Sequence, residues 1–573
     1  MHPPVGIDLG TSTSIISYFT DGNPKPIPDP ATKSPIIPSV VGLSMSGKET
    51  LVGQYALDQS RPGQLLMETK RGTGRGERYR LGDRQLSAEE VATLILAHLK
   101  RNAEAHLGEK IRDVVISVPA NYEDVRRRAV MESARMAGLN VVRLINEPTA
   151  AAMAYGIQAL NAEELLLVYD FGGGTLDVTI LEMIQGVLDV RTSHGVAELG
   201  GKDLDACIMQ WAEAEFVRRH PGAKIGLASE RRLKAQAEPA KKALSTYDSA
   251  SIIVENYATQ DGELLDLDLR LSRSGFEEMI RPLVARSVEA VDEALSKAAV
   301  SPEQLTKVLL VGGTTWIPAV RNAVLTHLAK PAVSGCDPDL AVSMGACISA
   351  ALAAGEVDSK SSLVVQDVCT YGLGTLNIQN VGGIWALAYD ELMPPNTPIP
   401  YSVRRDHYSL QRLDQDQMEV DLVQDLRGDA VWPDDTTPTG CSGSLTGIPP
   451  SETDTPHDVS LEFHYDANGI VHLRAWLPDL DNMELHLTHD ASGAGSRDII
   501  PEDEGMDALW EHTPLGGKYA VWIRRAEAAI AESPPNVSTI QAATVELKTK
   551  ISMGAEAEAQ RACDHLIDLL TEA

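Results

Sequence analysis

The segment Val168-Tyr-Asp-Phe-Gly-Gly-Gly-Thr-Leu-Asp177 runs from an apolar strand pattern into an aspartate, three glycines and a hydroxyl residue. A shorter form of the same pattern, Gly6-Ile-Asp-Leu-Gly-Thr-Ser-Thr13, lies near the N-terminus. Glycines let successive backbone N–H groups converge on an anion, and hydroxyls add donors. Because an aspartate beside such a turn repels phosphate, a divalent cation is expected between them. Two such turns that face each other would bind a metal-bound polyphosphate from both sides.

A third glycine-rich segment, Val308-Leu-Leu-Val-Gly-Gly-Thr-Thr-Trp-Ile-Pro318, completes a nucleotide-site pattern. A strand that ends in Gly312 and Gly313 ahead of a helix lets a flat ring approach the backbone closely. Two phosphate turns followed by an adenosine turn is an order that resembles the actin, sugar-kinase and heat-shock ATPase superfamily. We therefore expect a nucleotide site between two lobes.

The composition limits the class of protein. A chain of 573 residues is long enough for more than one domain. No apolar run is long enough to span a membrane, and the N-terminal pattern shows no secretory leader, so a cytoplasmic location is expected. The six cysteines lack CxxC spacing, which argues against a zinc site and a disulfide framework. The net charge of −31 opposes nonspecific binding to nucleic acid.

Strand and helix patterns alternate over residues 1–355 and predict an α/β nucleotide-binding domain. Within it, Ser87-Ala-Glu-Glu90 has the form of a helix-starting capping box, and Gly108 lies just beyond the expected end of that helix. The apolar run Val114-Val-Ile-Ser-Val118 is typical of a buried strand.

Residues 356–368 are predicted to form an interdomain linker. Its polar first half, Glu356 to Ser362, precedes the apolar cluster Leu363-Val-Val365, and Asp367 follows that cluster. Flexible linkers usually avoid apolar residues. We therefore expect the cluster to dock on another part of the chain.

Residues 369–500 show β patterns and are predicted to form a second domain. Asp466-Ala-Asn-Gly469 predicts a hairpin turn between two alternating segments. The stretch from Pro433 to Pro456 is rich in Thr, Ser, Gly and Pro, and predicts a long mobile loop.

Residues 501–573 return to helical patterns and form the predicted tail. One helix is expected from Tyr519 to Glu532, and Ser533-Pro-Pro535 should end it. Ser538-Thr-Ile-Gln541 is expected to cap a second helix.

Several longer motifs point to one branch of the superfamily. Ile145-Asn-Glu-Pro-Thr-Ala-Ala-Ala-Met-Ala-Tyr-Gly156 closely resembles the signature of the seventy-kilodalton heat-shock chaperones, the DnaK-like family. The resemblance extends from residue 5 to about residue 490. Its other motifs, in family order, include Ile7-Asp-Leu-Gly-Thr-Ser12, Glu198-Leu-Gly-Gly-Lys-Asp-Leu-Asp205, Leu392-Met-Pro-Pro-Asn-Thr-Pro-Ile-Pro400 and Tyr465-Asp-Ala-Asn-Gly-Ile470.

The resemblance implies an α/β actin-like two-lobed ATPase domain, a β-sandwich peptide-binding domain and a short α-helical tail. It implies an ATP-dependent chaperone for extended apolar segments of unfolded proteins, in which hydrolysis is allosterically coupled to peptide affinity. A J-domain cochaperone and a nucleotide-exchange factor are the other implied partners. The tail is shorter than the family's lid, so whether it covers the peptide site is left open.

The implied acidic cluster consists of Asp8, Glu147, Asp170 and Asp177, which match family positions around magnesium and the attacking water. Carboxylates can hold metal-bound waters and orient a nucleophile during phosphoryl transfer. The resemblance assigns Mg²⁺, held through water, to Asp8, Asp170 and Asp177, with K⁺ as a second candidate ion.

Two further residues complete the implied catalytic set. Lys70, within Met67-Glu-Thr-Lys-Arg-Gly72, matches the family's catalytic lysine and can neutralise charge that develops on the γ-phosphate. Thr175 matches a hydroxyl position that contacts phosphate.

The resemblance also implies a set of nucleotide-binding residues. Lys241 and Ser245 match contacts to the ribose and base. Lys242 and Trp316 stand where the family usually has arginine; an indole can still stack on a purine, although Trp316 could equally be a core aromatic. The full implied set is Gly10, Thr11, Ser12, Thr13, Gly172, Gly173, Gly174, Gly200, Gly201, Glu238, Lys241, Lys242, Ser245, Gly312, Gly313, Thr314, Trp316 and Asp339.

Other matches concern coupling between domains. Pro119 and Arg127 match a pair that relays the nucleotide state in the family. The positions that meet the J-domain cochaperone are matched by Arg143, Asn146 and Asp367. Because this chain keeps the charged residues at these family positions, an allosteric role is expected for Leu363, Val364 and Val365.

The resemblance places Tyr408 and Met418 at positions that line the peptide pocket. Insertions near His407-Tyr-Ser-Leu410 leave the alignment open, and core residues with a period of two are the alternative.

Two other functions fit the same superfamily. A small-molecule kinase would transfer phosphate to a metabolite, whereas a chaperone ATPase releases free phosphate. An ATP-regulated filament or scaffold protein would sediment differently with and without ATP.

Overall fold

The computed structural model describes residues 2–156, 163–184, 186–196, 198–333, 337–357, 364–480, 483–488, 515–531, 536–552 and 555–571. The strands are β1 (Val5–Leu9), β2 (Thr13–Thr20), β3 (Asn23–Pro26), β4 (Ile37–Pro38), β5 (Val41–Ser44), β6 (Thr50–Val52), β7 (Ser60–Leu66), β8 (Arg78–Leu81), β9 (Arg84–Ser87), β10 (Asp113–Val118), β11 (Asn140–Asn146), β12 (Glu164–Phe171), β13 (Leu176–Ile184), β14 (Val187–Val196), β15 (Lys224–Ile225), β16 (Ser249–Gln260), β17 (Glu263–Ser272), β18 (Lys307–Val311), β19 (Val364–Cys369), β20 (Gly372–Val381), β21 (Ile384–Met393), β22 (Thr397–Ile399), β23 (Tyr401–Ser409), β24 (Gln417–Asp425), β25 (Thr437–Thr446), β26 (Asp458–Tyr465), β27 (Val471–Trp476) and β28 (Glu484–Thr488). The helices are α1 (Gln54–Gln59), α2 (Ala88–Leu107), α3 (Asp124–Met136), α4 (Glu147–Gly156), α5 (Gly201–Arg219), α6 (Leu227–Thr246), α7 (Arg273–Lys297), α8 (Pro318–Leu328), α9 (Ala341–Ala353), α10 (Gly516–Ala531), α11 (Val537–Ser552) and α12 (Glu556–Thr571).

Two sheets of similar order form the two lobes of the first domain. β1 pairs antiparallel with β2 and parallel with β10, and β12 pairs antiparallel with β13 and parallel with β18. The orders are β11-β10-β1-β2-β3, with β4 also paired to β2, and β18-β12-β13-β14-β19-β22. The strands that carry the two aspartate motifs therefore occupy equivalent interior positions, where neighbours on both sides require the apolar residues seen in the sequence.

Helices α4 and α9 pack against each other and share one apolar core with strands of both sheets. Both helices are rich in small residues, which permits close backbone approach. A Cβ on Gly345 would lie 1.7 Å from the carbonyl oxygen of Ala150, and one on Gly6 would lie 2.0 Å from the backbone nitrogen of Cys347. The two lobes are thus joined through helices whose backbones nearly touch.

Local sequence signals of the first domain are confirmed. The Ser87 hydroxyl accepts a hydrogen bond from the Glu90 amide at 3.2 Å, and the Glu90 carboxylate accepts one from the Ser87 amide at 2.8 Å. This capping box begins α2, and Gly108 ends it with a left-handed backbone. The Val114–Val118 run is the buried part of β10.

The apolar linker segment docks as strand β19. Val364, Val365 and Gln366 pair parallel with β14 of the second lobe. The rest of the strand, Asp367 to Cys369, pairs antiparallel with β22 of the second domain. One strand thus extends the second-lobe sheet and joins it to the β domain, while Leu363 lies outside the described residues.

The β domain is a sandwich of two four-stranded sheets, β21-β20-β24-β25 and β23-β26-β27-β28. Its core includes Leu373, Phe463 and Tyr465. The predicted hairpin turn at Asp466–Gly469 is confirmed, because it joins β26 to β27. The domain limits drawn from the sequence, at residues 355, 368 and 500, stay predictions.

The mobile loop predicted from Pro433 to Pro456 is wrong over much of its length. Residues 437–446 form β25, which pairs antiparallel with β24. Thr439 and Cys441 alternate into the core and are buried. Backbone pairing and this short alternation stabilise the strand, although its Thr, Ser and Gly composition is typical of loops.

The tail is a bundle of three helices with an apolar core that includes Tyr519, Ile523, Leu547 and Leu566. The first helix covers Gly516–Ala531 rather than Tyr519–Glu532, and the second begins at Val537, one residue before the predicted cap. Ser533-Pro-Pro535 lies outside the described residues. Within the described ranges, no helix combines the length and apolar character needed to cross a membrane.

Candidate functional site

A cleft of about 500 Å³ lies between the two lobes. Its walls come from the turns that follow β1, β12 and β18, and from α6. Asp8 near the end of β1 and Asp170 near the end of β12 both face into it. Because the two strands are equivalent in their sheets, the motifs that resemble each other in sequence meet across the cleft.

The two phosphate-type turns approach each other closely. A Cβ on Gly173 would lie 2.2 Å from the Ser12 hydroxyl oxygen, and one on Gly174 would lie 3.1 Å from the Thr11 hydroxyl oxygen. A side chain at either glycine would therefore have to displace the Ser12 or Thr11 hydroxyl. Gly200 in turn lies behind Gly173, since its Cβ would be 2.6 Å from the Gly173 carbonyl oxygen. The sequence expectation of two facing turns is met by this geometry.

Lys70 and Glu147 form an ion pair in the cleft, with 2.8 Å between the lysine Nζ and a carboxylate oxygen. Their side chains are only 10% and 13% exposed. Burial would lower the pKa of Lys70, but Glu147, Tyr122 and Asp8 together outweigh it and raise that pKa above its ordinary value. Lys70 therefore remains a cation among carboxylates.

The remaining acids of the cluster favour their protonated forms. Burial, followed by the Glu147 charge, raises the pKa of Asp8 to about 7, although Lys70 and a 2.9 Å hydrogen bond from Ser117 oppose the shift. The same two causes raise the pKa of Asp177 to about 7. Burial and neighbouring carboxylates raise the pKa of Asp170 well above its ordinary value.

These carboxylates fit a bound cation. One carboxylate oxygen of Asp177 is buried without a hydrogen-bond partner among the described residues. A divalent cation would compensate the crowded negative charge that raises the pKa values. In the described part of the chain, no group of three or more His, Cys, Asp or Glu side chains is arranged to bind a metal ion.

Asp8→Asn should stabilise the protein without nucleotide or metal, and more at pH 8 than at pH 4.5. The pKa of Asp8 is about 7 in the folded state, above the usual aspartate value. At pH values between the ordinary aspartate pKa and the raised one, Asp8 is protonated in the folded state and ionised in the unfolded state. The free energy of unfolding therefore falls as pH rises through this range. Thermal unfolding at both pH values measures the difference.

Asp248→Asn is the matched control, because the Asp248 side chain is 98% exposed. It should shift Tm little at either pH. An Asp8→Asn shift that is equal at pH 8 and pH 4.5 would contradict the assigned cause.

The third glycine turn and α6 form the far end of the cleft. Gly312 has a φ of 80°, and a Cβ there would lie 2.5 Å from the Phe171 carbonyl oxygen. Lys241 donates to the Gly201 carbonyl at 2.8 Å and pairs with Asp205 at 2.9 Å.

Trp316 lies at the rim of this end and is 50% exposed. Its indole N–H donates to an Asp339 carboxylate oxygen at 3.0 Å. Lys242 pairs with Glu238 at 2.8 Å rather than crossing the cleft. The structure therefore places Trp316 at the surface of the cleft and not in the core.

Most residues expected at the nucleotide site line the cleft, whereas Asp177, Gly200 and Gly201 lie just behind its wall. The expected residues that line it are Asp8, Gly10, Thr11, Ser12, Thr13, Lys70, Pro119, Glu147, Asp170, Gly172, Gly173, Gly174, Thr175, Glu238, Lys241, Lys242, Ser245, Gly312, Gly313, Thr314, Trp316 and Asp339.

The sequence interpretation missed several cationic and aromatic lining residues. Arg71 donates to the Gly174 carbonyl oxygen and so joins the lobes across the cleft. The Lys70 Nζ lies 5.6 Å from the centre of the Tyr122 ring, and the Arg126 guanidinium lies 4.3 Å from it. Arg75 also lines the cleft. The position of Arg71 next to Lys70 could have indicated from the sequence that it lines the cleft. No sequence signal indicated this for Tyr122 or Arg126.

A hydrogen-bond path leads from the cleft to the β domain. Asn146, next to Glu147, accepts a 2.6 Å hydrogen bond from Arg127. Arg127 also reaches the Asn468 carbonyl at 3.5 Å, and the Asn468 side chain accepts from the Leu144 amide at 3.1 Å. The turn Asp466–Gly469 of the second domain is thus seated on the first domain beside Glu147.

The expected linker residues lie within this interface. Asp367 is buried and accepts a 3.1 Å hydrogen bond from the Thr149 hydroxyl on α4. Arg143 lies nearby on β11, where burial lowers its pKa although the Asp367 charge opposes the shift. Asn146 is likewise buried. The three positions that the resemblance assigns to a cochaperone are largely covered in this conformation.

In the β domain, Met418 is 6% exposed and packs in the sandwich core, which agrees with the alternative that the sequence left open. Its place in a peptide pocket stays a prediction. Tyr408 is half-buried, and its hydroxyl donates to Asp390. The β20–β21 hairpin carries four exposed apolar side chains: Ile378 (45%), Ile384 (68%), Trp385 (72%) and Leu387 (48%). Leu413, Leu426, Val431 and Trp432, elsewhere in this domain, are exposed as well. Because the alignment with the family near residue 408 is open, the sequence did not locate these exposed side chains.

Comparisons with known proteins agree with the architecture. A family model described as Hsp70 protein matches residues 76–502. Proteins named chaperone protein DnaK from Thermotoga petrophila, Thermotoga sp. strain RQ2 and Thermotoga maritima are each 37% identical over 480 residues. Each alignment covers 82% of this chain and 78% of the relative. The chain therefore belongs to the Hsp70 family, whose two-lobed actin-like ATPase domain, β-sandwich and helical tail it contains.

Proposed function

We propose that this chain couples the hydrolysis of Mg²⁺-bound ATP in the interlobe cleft to the binding of extended apolar segments by the β-sandwich. As an Hsp70 family member it is an ATP-dependent chaperone and an ATPase that binds ATP and ADP with a divalent metal. The identity of the metal, the residue roles and the route of coupling are our proposals.

The observation that carries the coupling is the path from the cleft to the second domain. Glu147 binds Lys70 in the cleft, Asn146 binds Arg127, and Arg127 reaches Asn468 in the second domain. A movement of Glu147 on hydrolysis would therefore change the contacts that the Asp466–Gly469 turn makes with the first domain. The linker strand offers a second connection, because β19 pairs with both domains.

For the chemistry, the two glycine turns would hold the phosphates through backbone N–H groups and the hydroxyls of Thr11, Ser12, Thr13 and Thr175. Asp8, Asp170 and Asp177 would hold Mg²⁺ through water, and a bound Mg²⁺ would neutralise charge on the phosphate oxygens. Glu147 would orient the attacking water. Lys70 would stabilise the negative charge that develops during transfer.

For clients, we propose the apolar face of the β20–β21 hairpin as the binding surface. Ile378 pairs with Leu387 across the hairpin, and Trp385 lies two residues from Leu387 on the same side. An extended peptide with alternating apolar side chains would cover this face. Cochaperones of the J-domain and exchange-factor types, K⁺ and a cytoplasmic location also stay predictions.

ATP turnover with and without an extended apolar peptide tests the proposal. We expect a bound peptide to alter the nucleotide equilibrium in return. We further propose that the domain arrangement it favours hydrolyses ATP faster, so that the peptide stimulates release of free phosphate. Trp385→Asp should weaken this stimulation, whereas Trp432→Asp, at an exposed loop tryptophan of the same domain, should not. Phosphate transfer to a metabolite would favour a kinase instead, and ATP-dependent sedimentation would favour a filament.

Trp316→Ala should weaken ATP binding by roughly 1–3 kcal/mol, as for other lost base-stacking contacts. The reason is that Trp316 is half exposed at the adenosine end of the cleft and is held there by Asp339. Titration of nucleotide affinity, together with tryptophan fluorescence, measures the effect. Trp432→Ala is the control, and unchanged affinity in folded Trp316→Ala would show that the indole does not touch the base.

A further inference from the structure

The helical tail lies against the linker strand. α10 contacts β19, β22, β23 and β14. Gly517, in the first turn of α10, lies so close to the second domain that a Cβ there would be 2.2 Å from the Pro400 carbonyl oxygen and 3.0 Å from that of Pro398. This approach is possible only for glycine at the contact.

α10 has two buried faces with different neighbours. Tyr519, Ile523 and Ala526 lie on one face and belong to the core that α10 shares with α11 and α12. Gly517 and Val521 are four residues apart, on the opposite side of the helix, and are buried outside that core. Bundle packing therefore accounts for only one face, and the other face covers the linker region.

The tail also approaches both lobes. Arg524 of α10 lies near enough to Arg143 of β11 for its charge to oppose protonation of that residue. Cys563 of α12 lies near Asp189 of β14, the residue that pairs with linker residue Gln366. The like charges of Arg524 and Arg143 weaken docking, whereas the burial of α10 favours it. Such a balance suits a contact that is made and broken.

We propose that the helical tail is a latch on the docked linker: β19 cannot leave β14 until α10 has left β19 and β22. The occupant of this surface is the chain's own tail, so a partner that approaches Arg143 and Asp367 must displace α10. The inference rests on the proposed function only where it connects linker release to the nucleotide cycle. The latch itself requires no client.

Hydrogen exchange of the full-length protein with ATP tests the latch through the variant Gly517→Ala. Alanine is the better helix former, so α10 itself is not weakened. Its methyl group must nevertheless move the helix away from Pro400. We expect the amides of residues 364–369 to exchange at least about fivefold faster than in the wild type.

The matched control is Gly226→Ala, where the nearest atom to an added Cβ is the Ser229 hydroxyl oxygen at 3.7 Å. Its linker amides should exchange as in the wild type. Val521→Ala serves as a second variant, because it removes buried contact from the same face of α10 and leaves the bundle core unchanged. It should also accelerate linker exchange.

Linker exchange at the wild-type rate in both tail variants would overturn the latch, whether or not a peptide stimulates ATP turnover. Lack of peptide stimulation in the wild type would overturn the proposed coupling, whether or not linker exchange changes. The two failures are therefore distinguishable. Faster linker exchange in both tail variants but not in Gly226→Ala supports the latch.

Discussion

Lys70→Ala should reduce single-turnover ATP hydrolysis by about a hundredfold or more while ATP still binds. Lys70 is the cation that pairs with Glu147 at 2.8 Å, among carboxylates whose pKa values are raised by burial and mutual repulsion. In the proposed role, its loss removes the positive charge that faces the transferred phosphate. Binding is distributed over three glycine turns and α6, so affinity should change much less than rate.

Rapid mixing of ATP with an excess of enzyme measures the rate of the chemical step separately from product release. Lys234→Ala is the control, because Lys234 is 48% exposed and pairs with Glu68 away from the cleft lining. Retained ATP binding shows that the Lys70→Ala protein is folded. Hydrolysis within about threefold of the wild-type rate would refute the assignment of Lys70.

Replacing Leu363, Val364 and Val365 together by aspartate should abolish peptide stimulation of ATP turnover. Val364 and Val365 pair with Val187 and Leu188 at the edge of the second-lobe sheet. Docking that buries aliphatic side chains of this cluster would contribute a few kcal/mol, enough to bias a two-state arrangement. Three carboxylates would reverse that preference and leave each domain core intact.

The control places aspartate at Ser361 and Ser362, which are already polar, so that charge is added without loss of apolar surface. Limited proteolysis gives a second measurement: the wild-type linker should be protected with ATP and cut with ADP, whereas the triple variant should be cut with both. Normal stimulation in the triple variant, with equal cleavage of the wild type in both nucleotides, would make the linker a passive tether.

The sequence was sufficient for the parts of the site that depend on local geometry. A strand, an aspartate and adjacent glycines specify a phosphate turn within about ten residues, and the two turns meet because β1 and β12 hold equivalent places in their sheets. The capping box at Ser87 and the hairpin turn at Asp466 were likewise predictable, since each is fixed by neighbours in sequence.

The remaining features depend on contacts between distant segments. The Tyr122 ring contacts both Lys70 and Arg126, and no spacing in the sequence predicts the contact with Lys70, which lies about fifty residues away. β25 is stabilised by pairing with β24, which its polar composition concealed. The position of α10 on the linker rests on the fit of Gly517 against Pro400, more than a hundred residues away in sequence.

The close approach of α4 and α9 limits how the lobes can move relative to each other. Small residues offer no interlocking ridges, so the two helices can slide or turn in place, while the near-touching backbones at Gly345 and Ala150 prevent any compression. Opening of the nucleotide cleft is then a shear about this pivot rather than a separation of two bodies. A single added methyl group at residue 345 would push the pivot apart and change the angle between the lobes without touching the nucleotide.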